Sequence, residues 1–519
     1  MPIKLNKEES VFRNELIFAG DAKQVNIDNT LVNLFMLLRH NGIRPKQRAR
    51  SGDNTIIEVE TIKEIFRRLE LSDAVSGFRD NPLGTELWIR SNLVNMVYRG
   101  NSDKEKISSL RPIHLESYRL RNATSTRDYN NADQVFLMLG AEPAIRDELI
   151  SFLSEGWDKV TGQINTFDSL DVDSLGLLQL IKNISTGFKT SSTGLNNIKP
   201  ILEKQAKLFC EDIRKLLVYK RIIPRNVMID YLKTITSFHL SIYLQNLIQL
   251  LPKMITAGTT EVTSQWSIVV DLTDNVDSKV ASLAAADAEI MSNSIYDYIK
   301  ATFQINAALR RLSLNKTNSD HLAKALEILS KRDDQFDLYF NVLWDAIVQN
   351  LNDDDRNLLE EIGKYETKHF DKYIEAIMKA RTGYLYPYHV QLLDALSQKN
   401  TERGILAQGR SRKHPRRFVL GTRLLEALVQ ILVLRNDGNK YYTTSLSIEE
   451  LTQELRERYG LIINGNDDSR FANSNVYTKQ AFRENLTAFK SKLRQIGFYT
   501  ELSDAYILQK VRPRYILNA

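Results

Sequence analysis

Three carboxylates follow a β-branched run in the middle of the chain, where carboxylates can hold a metal ion. The run WSIVVDLTDNVD places Asp271, Asp274 and Asp277 after a predicted strand. Carboxylates at the end of a strand can bind Mg²⁺ for phosphoryl transfer. Alternatively, Asp274 or Asp277 caps a helix that begins near Ser278. We favour the cap, and keep a divergent metal-dependent phosphoryl-transfer enzyme centred on Asp271 as an alternative.

Other catalytic motifs lack the context that their chemistry needs. GILAQGRS (404–411) has the spacing of a phosphate-binding loop, but Arg410 replaces the lysine and Pro415 interrupts the following helix. YETKH (365–369) has the Glu-x-Lys pattern of metal-dependent nucleases but lies in helical sequence. The seven histidines lack metal-ligand spacing, and Cys210 fits a small core residue better than a nucleophile. We predict no catalytic residue, metal site or cofactor, and favour a protein that is not an enzyme.

Recognition of a polyanion is the chemistry that the C-terminal residues favour. Residues 401–519 hold 20 of the 70 Lys+Arg and 12 of the 64 Asp+Glu, which gives this segment a net charge of +8 and leaves −2 for the remainder. The stretch GRSRKHPRRF (409–418) is the densest part. Its cations are Arg410, Arg412, Lys413, Arg416 and Arg417. A clustered positive field attracts phosphate backbones.

A second set of cations lies on a predicted helix at 478–497. On a helical wheel its apolar residues form one stripe, and its basic residues form another roughly a quarter turn away. The apolar stripe is Phe482, Leu486, Phe489, Leu493 and Ile496, and the basic stripe is Lys479, Arg483, Lys490 and Arg494. Beyond the helix, Lys510, Arg512 and Arg514 could grip an adjacent backbone segment. Gln480 and Asn485 could contact adenine edges, although nothing in the sequence selects them.

The elements around this helix follow a familiar order. The sequence predicts a buried helix over 418–435, then a turn at Asp437-Gly438 with a short strand. A helix over 447–460 with a Ser447/Glu450 capping box follows, then the helix at 478–497 and a β-hairpin over 498–513. This order resembles the winged-helix family, which implies DNA binding or protein docking. The long segment between the second and third helices departs from a tight helix-turn-helix.

The whole chain is predicted to be mainly α-helical and multi-domain. The predicted parts are a mainly helical domain at 1–98, a polar linker at 99–133, a helical body with one short strand at 134–402, and a basic winged-helix-like domain at 403–519. A second basic loop at 39–54 is predicted to be solvated, to face a partner or to contact DNA. With no apolar run long enough for a membrane span and a single cysteine, we expect a cytoplasmic location.

Two segments carry a further resemblance. LRQIGFYTELSDAYILQKVRPRY and WSIVVDLTD are similar to accessory proteins of bacterial anti-phage defence islands. The resemblance implies a subunit of a restriction-type complex, with an ATPase or nuclease among its partners, and transfers no catalytic residue. We therefore predict a non-enzymatic subunit that binds duplex DNA and scaffolds other proteins. The alternative is a protein-only scaffold whose basic C-terminal domain docks an acidic partner.

Overall fold

The computed structural model divides the chain into two compact units that alternate along the sequence. It describes residues 5–47, 58–73, 75–97, 105–122, 125–166, 170–183, 188–189, 194–263, 266–349, 363–411, 414–438, 440–499 and 510–518. Unit 1 comprises Met1–Gln24, Asn197–Gln205 and Ser237–Ala519, and unit 2 comprises Val25–Asn196 and Ala206–Thr236. The predicted domain boundaries at 98, 133 and 402 stay predictions.

Helices dominate both units, which confirms the predicted mainly α class. The helices are α1 Lys7–Ser10, α2 Ile27–Arg39, α3 Val59–Leu71, α4 Pro82–Trp88, α5 Asn131–Leu139, α6 Pro143–Leu153, α7 Val172–Asn183, α8 Glu203–Val218, α9 Arg225–Ala257, α10 Lys279–Arg311, α11 Asp320–Lys331, α12 Asp334–Gln349, α13 His369–Leu396, α14 Thr422–Leu432, α15 Ile448–Tyr459 and α16 Val476–Gln495. The strands are β1 Lys46–Gln47, β2 Val94–Val97, β3 Lys106–Leu110, β4 Trp157–Asp158, β5 Gln163–Ile164, β6 Phe188–Lys189, β7 Ile268–Val269, β8 Leu406–Ala407, β9 Arg417–Phe418, β10 Leu434–Asn436, β11 Tyr441–Thr443 and β12 Leu461–Ile462. Within the described parts of the chain, no helix is both long and apolar enough to cross a membrane.

The apolar spacing of GTELWIRSNLVNMVY (84–98) predicts a helix, which the structure of unit 2 corrects. The α-helix ends at Trp88, and a π-helical turn at Ile89–Leu93 leads into β2, which pairs antiparallel with β3. Strand pairing therefore overrides the local helical spacing. The segment predicted as a polar linker contains β3 and a 3₁₀ turn at Leu115–Arg119, and the turn residues Glu116 and Ser117 are buried.

The basic loop at 39–54 supplies arginines to carboxylates of its own unit. Arg39 pairs with the buried Glu116 at 3.0 Å, and Arg44 lies 2.8 Å from Asp128 and 2.7 Å from Asp133. The Lys46 side chain, Arg48 and Arg50 fall outside the described residues. The two described arginines are thus part of the internal structure.

Cys210 also belongs to the core of unit 2. Its side chain is fully buried, and its thiol lies 3.3 Å from the carbonyl oxygen of Met138. Burial raises the pKa of Cys210 to about 12, which keeps the thiol protonated at neutral pH. The structure therefore supports the prediction of a core residue rather than a nucleophile.

Unit 1 combines long helices with short strand pairs. Helix α10 packs against α11 and α13, and α12 packs against α13 through Phe336, Phe340 and Phe370. The strand predicted from WSIVVDLTD is present as β7, which pairs parallel with β12. Two residues further on, Asp271 bridges Val419 in parallel, and β9 pairs antiparallel with β8. Segment 268–271 therefore pairs with two segments that come much later in the chain, β12 and the residue that follows β9.

A buried histidine makes unit 1 sensitive to acid. His389 packs edge-on against Phe12 and Tyr298, and its Nδ1 lies 2.8 Å from the Leu385 carbonyl oxygen. Burial lowers the pKa of His389 to about 4, below the ordinary value of 6.5. The unfolded chain binds the proton first, so the stabilisation by neutral His389 is complete above pH 6.5 and declines as pH falls towards about 4.

We expect the free energy of unfolding to depend less on pH in His389→Leu than in the wild type. Between pH 6.5 and 5 the difference should approach about 2 kcal/mol, because the variant has no buried imidazole to protonate. Urea unfolding at several pH values measures this difference. Parallel pH dependence in the two proteins would contradict it.

Candidate nucleic-acid interface

A buried asparagine fixes α16, the helix that carries the predicted basic stripe. The Asn485 amide donates to the carbonyl oxygens of Val270 and Ile463, both at 2.9 Å, and its oxygen accepts the Leu272 N–H at 2.9 Å. Three backbone groups from two segments are thereby satisfied by one side chain. Asn485 is fully buried, so its side chain is not available to contact an adenine edge.

The rest of the buried face of α16 is apolar, as predicted. Phe482, Phe489 and Leu493 are fully buried, whereas Leu486 and Ile496 are half-buried. Phe482 packs with β7, β12 and α10 in one hydrophobic cluster. The Phe482 ring approaches Gly465 so closely that a Cβ there would lie 2.2 Å from it. The helix is thus held along its length by segments that precede it in the chain.

The segment between α15 and α16 is an anchor, which its polar sequence did not indicate. It contains β12 and two 3₁₀ turns, Gly465–Asp467 and Ser469–Phe471. Arg470 forms a two-point ion pair with Asp287 at 2.7 and 3.2 Å, and Asp287 also accepts the Val269 N–H at 2.7 Å. One carboxylate of α10 therefore joins this segment to β7.

The basic stripe on α16 faces solvent along most of its length. Lys479 and Arg483 are exposed and Lys490 is half-exposed, and none of the three has an ion-pair partner among the described residues. Arg494 is exposed but engaged, since its guanidinium lies 6.0 Å from the Tyr499 ring centroid. Another cation, Lys492, contacts Asp274 at 3.4 Å on a different side of the helix.

The spacing of these cations has an energetic cost. Lys479 and Arg483 are four residues apart, as are Lys490 and Arg494. Like charges at this spacing destabilise a helix by a few tenths of a kcal/mol, roughly 0.2–0.5 per pair. A bound anion would relieve both repulsions.

Buried ion pairs remove two predicted contacts from the stretch 409–418. Arg417 is buried and pairs with the buried Asp271 at 2.8 Å, and Arg416 lies 2.5 Å from Asp394. Burial lowers the pKa of Arg416 even though Asp394 acts to raise it. Arg417 therefore belongs to the interior of unit 1, whereas Arg416 is half-buried and held by Asp394, and we leave both out of the interface.

The remaining cations of this stretch belong to the connection between β8 and β9. Arg410 is exposed there, and the His414 N–H donates to the Ser411 carbonyl oxygen at 2.9 Å. Arg412 and Lys413 fall outside the described residues.

The cations after α16 divide into exposed ones and one that is bound internally. Val511 is buried and bridges both Leu446 and Tyr499, while its neighbours Lys510 and Arg512 are exposed. Because side chains alternate along an extended segment, Lys510 and Arg512 project to the same side. Arg514 is bound to Glu426 and to the Ile496 carbonyl oxygen. Most of the predicted hairpin, 500–509, falls outside the described residues.

Asp271, Asp274 and Asp277 of the central segment have different surroundings and do not form one site. Asp271 binds Arg417 and accepts hydrogen bonds from the Thr273 N–H and hydroxyl. Asp274 is exposed beside Lys492, and Ser278 rather than Asp274 or Asp277 caps α10 by accepting the Ala281 N–H at 3.0 Å. Nowhere in the described ranges do three or more His, Cys, Asp or Glu residues come together as a metal site would require.

The helices predicted over 447–460 and 478–497 are present as α15 and α16. The helix predicted over 418–435 is present as α14 but is shorter than predicted. Ser447 and Glu450 form the predicted capping box, and Gly460 ends α15 with φ +71°. The helix predicted over 418–435 is limited to Thr422–Leu432, because β9 and β10 take its two ends. Gly438, with φ +97°, turns β10 into β11.

These features define a mainly α-helical protein whose described C-terminal part has surface cations without an ion-pair partner in the described ranges, above buried charges that are paired. The chain belongs to the family of the methylation-associated defense system protein MAD7, whose family model matches residues 7–515. A search of the curated proteins finds no match. The predicted role in a defence system is thereby confirmed, and it indicates that other protein subunits work with this one.

Proposed function

We propose that this chain is a non-catalytic subunit of a methylation-associated defence system that binds duplex DNA and docks other subunits. The observation that carries the proposal is the solvent face of α16, where Lys479, Arg483 and Lys490 align without an ion-pair partner among the residues that the structure describes. Backbone phosphates are the ligands that such a stripe fits. Arg410, Lys510 and Arg512 are further exposed cations of the same unit.

The arrangement around Val511 supports a winged-helix interpretation of this region. The Leu446 and Val511 backbones exchange hydrogen bonds of 3.1 and 2.7 Å, and the Arg512 N–H donates to the Phe498 carbonyl oxygen at 2.9 Å. Leu446, just before α15, thus pairs through its backbone with Val511, after α16. The first strand of a winged helix pairs with its wing in the same way. In that family the third helix enters the major groove.

A second surface supports the scaffolding role. Leu338 and Val342 lie four residues apart on α12 and are 62% and 68% exposed. Asp334 and Asp345 are exposed on the same helix, which contains no Lys or Arg. Such a face fits a protein partner with apolar and basic side chains, and an ATPase or nuclease subunit is the partner that we propose. A cytoplasmic location belongs to the same proposal.

The test is a salt titration of duplex DNA binding by the full chain. The full chain is required because β12 and α16 depend on β7 and α10, which lie outside 403–519. If about five phosphates are contacted, log affinity should fall against log salt with a slope of about −4 to −5. Absence of binding at low salt would overturn the DNA role, whereas co-purification of a protein partner that survives nuclease and high salt would favour the protein-only scaffold.

A further inference from the structure

The first turn of α16, at the N-terminal end of the basic stripe, exposes two large apolar side chains. Val476 is 79% exposed and Tyr477 is 82% exposed, and they lie three and two residues before Lys479. Their neighbours are ordered. The Asn475 side chain accepts the Thr478 N–H at 2.9 Å, and Thr478 itself is buried. The two apolar side chains therefore stand on a fixed turn rather than on a loose end.

Helix formation does not require apolar residues at these two positions. Polar and acidic residues suit the first turn of a helix, and exposed apolar area of this kind costs solubility. Neither side chain contributes to the hydrophobic cluster that anchors α16. Their exposure is explained if a ligand covers them.

The cations restrict the class of that ligand. A partner that covers Val476 also meets Lys479 and Arg483, which lie within about 60° of Val476 on the helical wheel and within the next two turns. Duplex DNA offers both kinds of contact, because phosphates border a major groove in which base edges carry methyl groups. In helix-turn-helix proteins the N-terminal residues of the recognition helix contact those edges.

We propose, resting on the DNA-binding function above, that Val476 and Tyr477 contact a methyl group on the major-groove edge of a base. Lys479, Arg483 and Lys490 hold the flanking phosphates. The methyl group is the C5-methyl of thymine or one added to cytosine or adenine. Gln480, exposed on the next turn and 3.3 Å from Glu484, lies near enough to add a polar contact.

The experiment measures binding of the full chain to matched duplexes. One pair compares thymine with uracil, a second compares cytosine with 5-methylcytosine, and a third compares adenine with N6-methyladenine. We expect about 3- to 5-fold tighter binding to the methyl-bearing member of at least one pair, which is the effect of burying one methyl group. The pair that discriminates identifies the source of the methyl.

The variant Val476→Ser/Tyr477→Ser should lose this preference and keep the wild-type salt dependence, because its cations are intact. Leu83→Ser/Leu87→Ser, a matched pair of exposed apolar residues on α4, should keep the preference. Equal affinity of the wild type for both members of every pair, or an unchanged preference in the α16 variant, would overturn the inference while leaving DNA binding in place. No binding to any duplex would overturn both.

Discussion

Reversing Lys479, Arg483 and Lys490 to glutamate together is expected to weaken binding of duplex DNA by at least about 100-fold near 0.1 M salt. Three phosphate contacts are lost and three repulsive charges are added, so the salt slope should also fall by about 3. All three side chains are exposed or half-exposed, and the buried anchors of α16 are untouched. Filter binding over a range of salt concentrations gives both quantities.

The matched control reverses Lys204, Lys253 and Lys324, exposed lysines of the same unit that have no ion-pair partner among the described residues. Either triple variant lowers the net charge from +6 to 0, because each reversal removes two units of charge. If the position of the charges matters, only the α16 variant should lose DNA affinity. An equal loss in both variants would mean that net charge, and not this helix, governs binding.

Arg417→Met is expected to lower the free energy of unfolding by about 3–5 kcal/mol. The substitution leaves the Asp271 carboxylate buried without its cation, and an unpaired buried charge carries a cost of this size. The effect should extend to DNA affinity, because Leu272, next to Asp271, holds Asn485 of α16. Urea unfolding followed by tryptophan fluorescence measures the first effect.

Two further variants separate charge from packing. Asp271→Asn/Arg417→Met removes the orphaned charge and should recover a large part of the lost stability, as buried pairs replaced together often do. Arg410→Met, an exposed arginine near Arg417, should change stability by less than about 0.5 kcal/mol. If Arg417→Met is as mild as Arg410→Met, the buried pair has no structural role.

Local signals in the sequence predicted the C-terminal helices well. These signals are the Ser447/Glu450 capping box, Gly460 and the apolar stripe of α16. Each depends on residues only a few positions apart, so it can be recognised in a single sequence. The helix predicted over 84–98 failed because β3, a partner strand, competes for Val94–Val97. Periodicity alone does not report such competition.

The candidate site was predictable only in part, and for the same reason. Lys479, Arg483 and Lys490 face solvent on one stripe, which a helical wheel shows. Arg417 is not part of the site because it pairs with Asp271, which is distant in sequence. Asn485 is buried because it binds the backbone of Val270 and Leu272, which are equally distant. A count of charges does not distinguish cations that form internal ion pairs from cations that remain on the surface.

The parallel pairing of β7 with β12 has a consequence for how the protein is made. Ile268 and Val269 leave the ribosome long before Leu461 and Ile462, so the nascent chain carries an apolar strand with an open edge through much of its synthesis. Open apolar edges recruit other strands, and slow long-range pairing prolongs that risk. Translation that stops before residue 461 should therefore yield an insoluble product that needs a chaperone, rather than a smaller working protein.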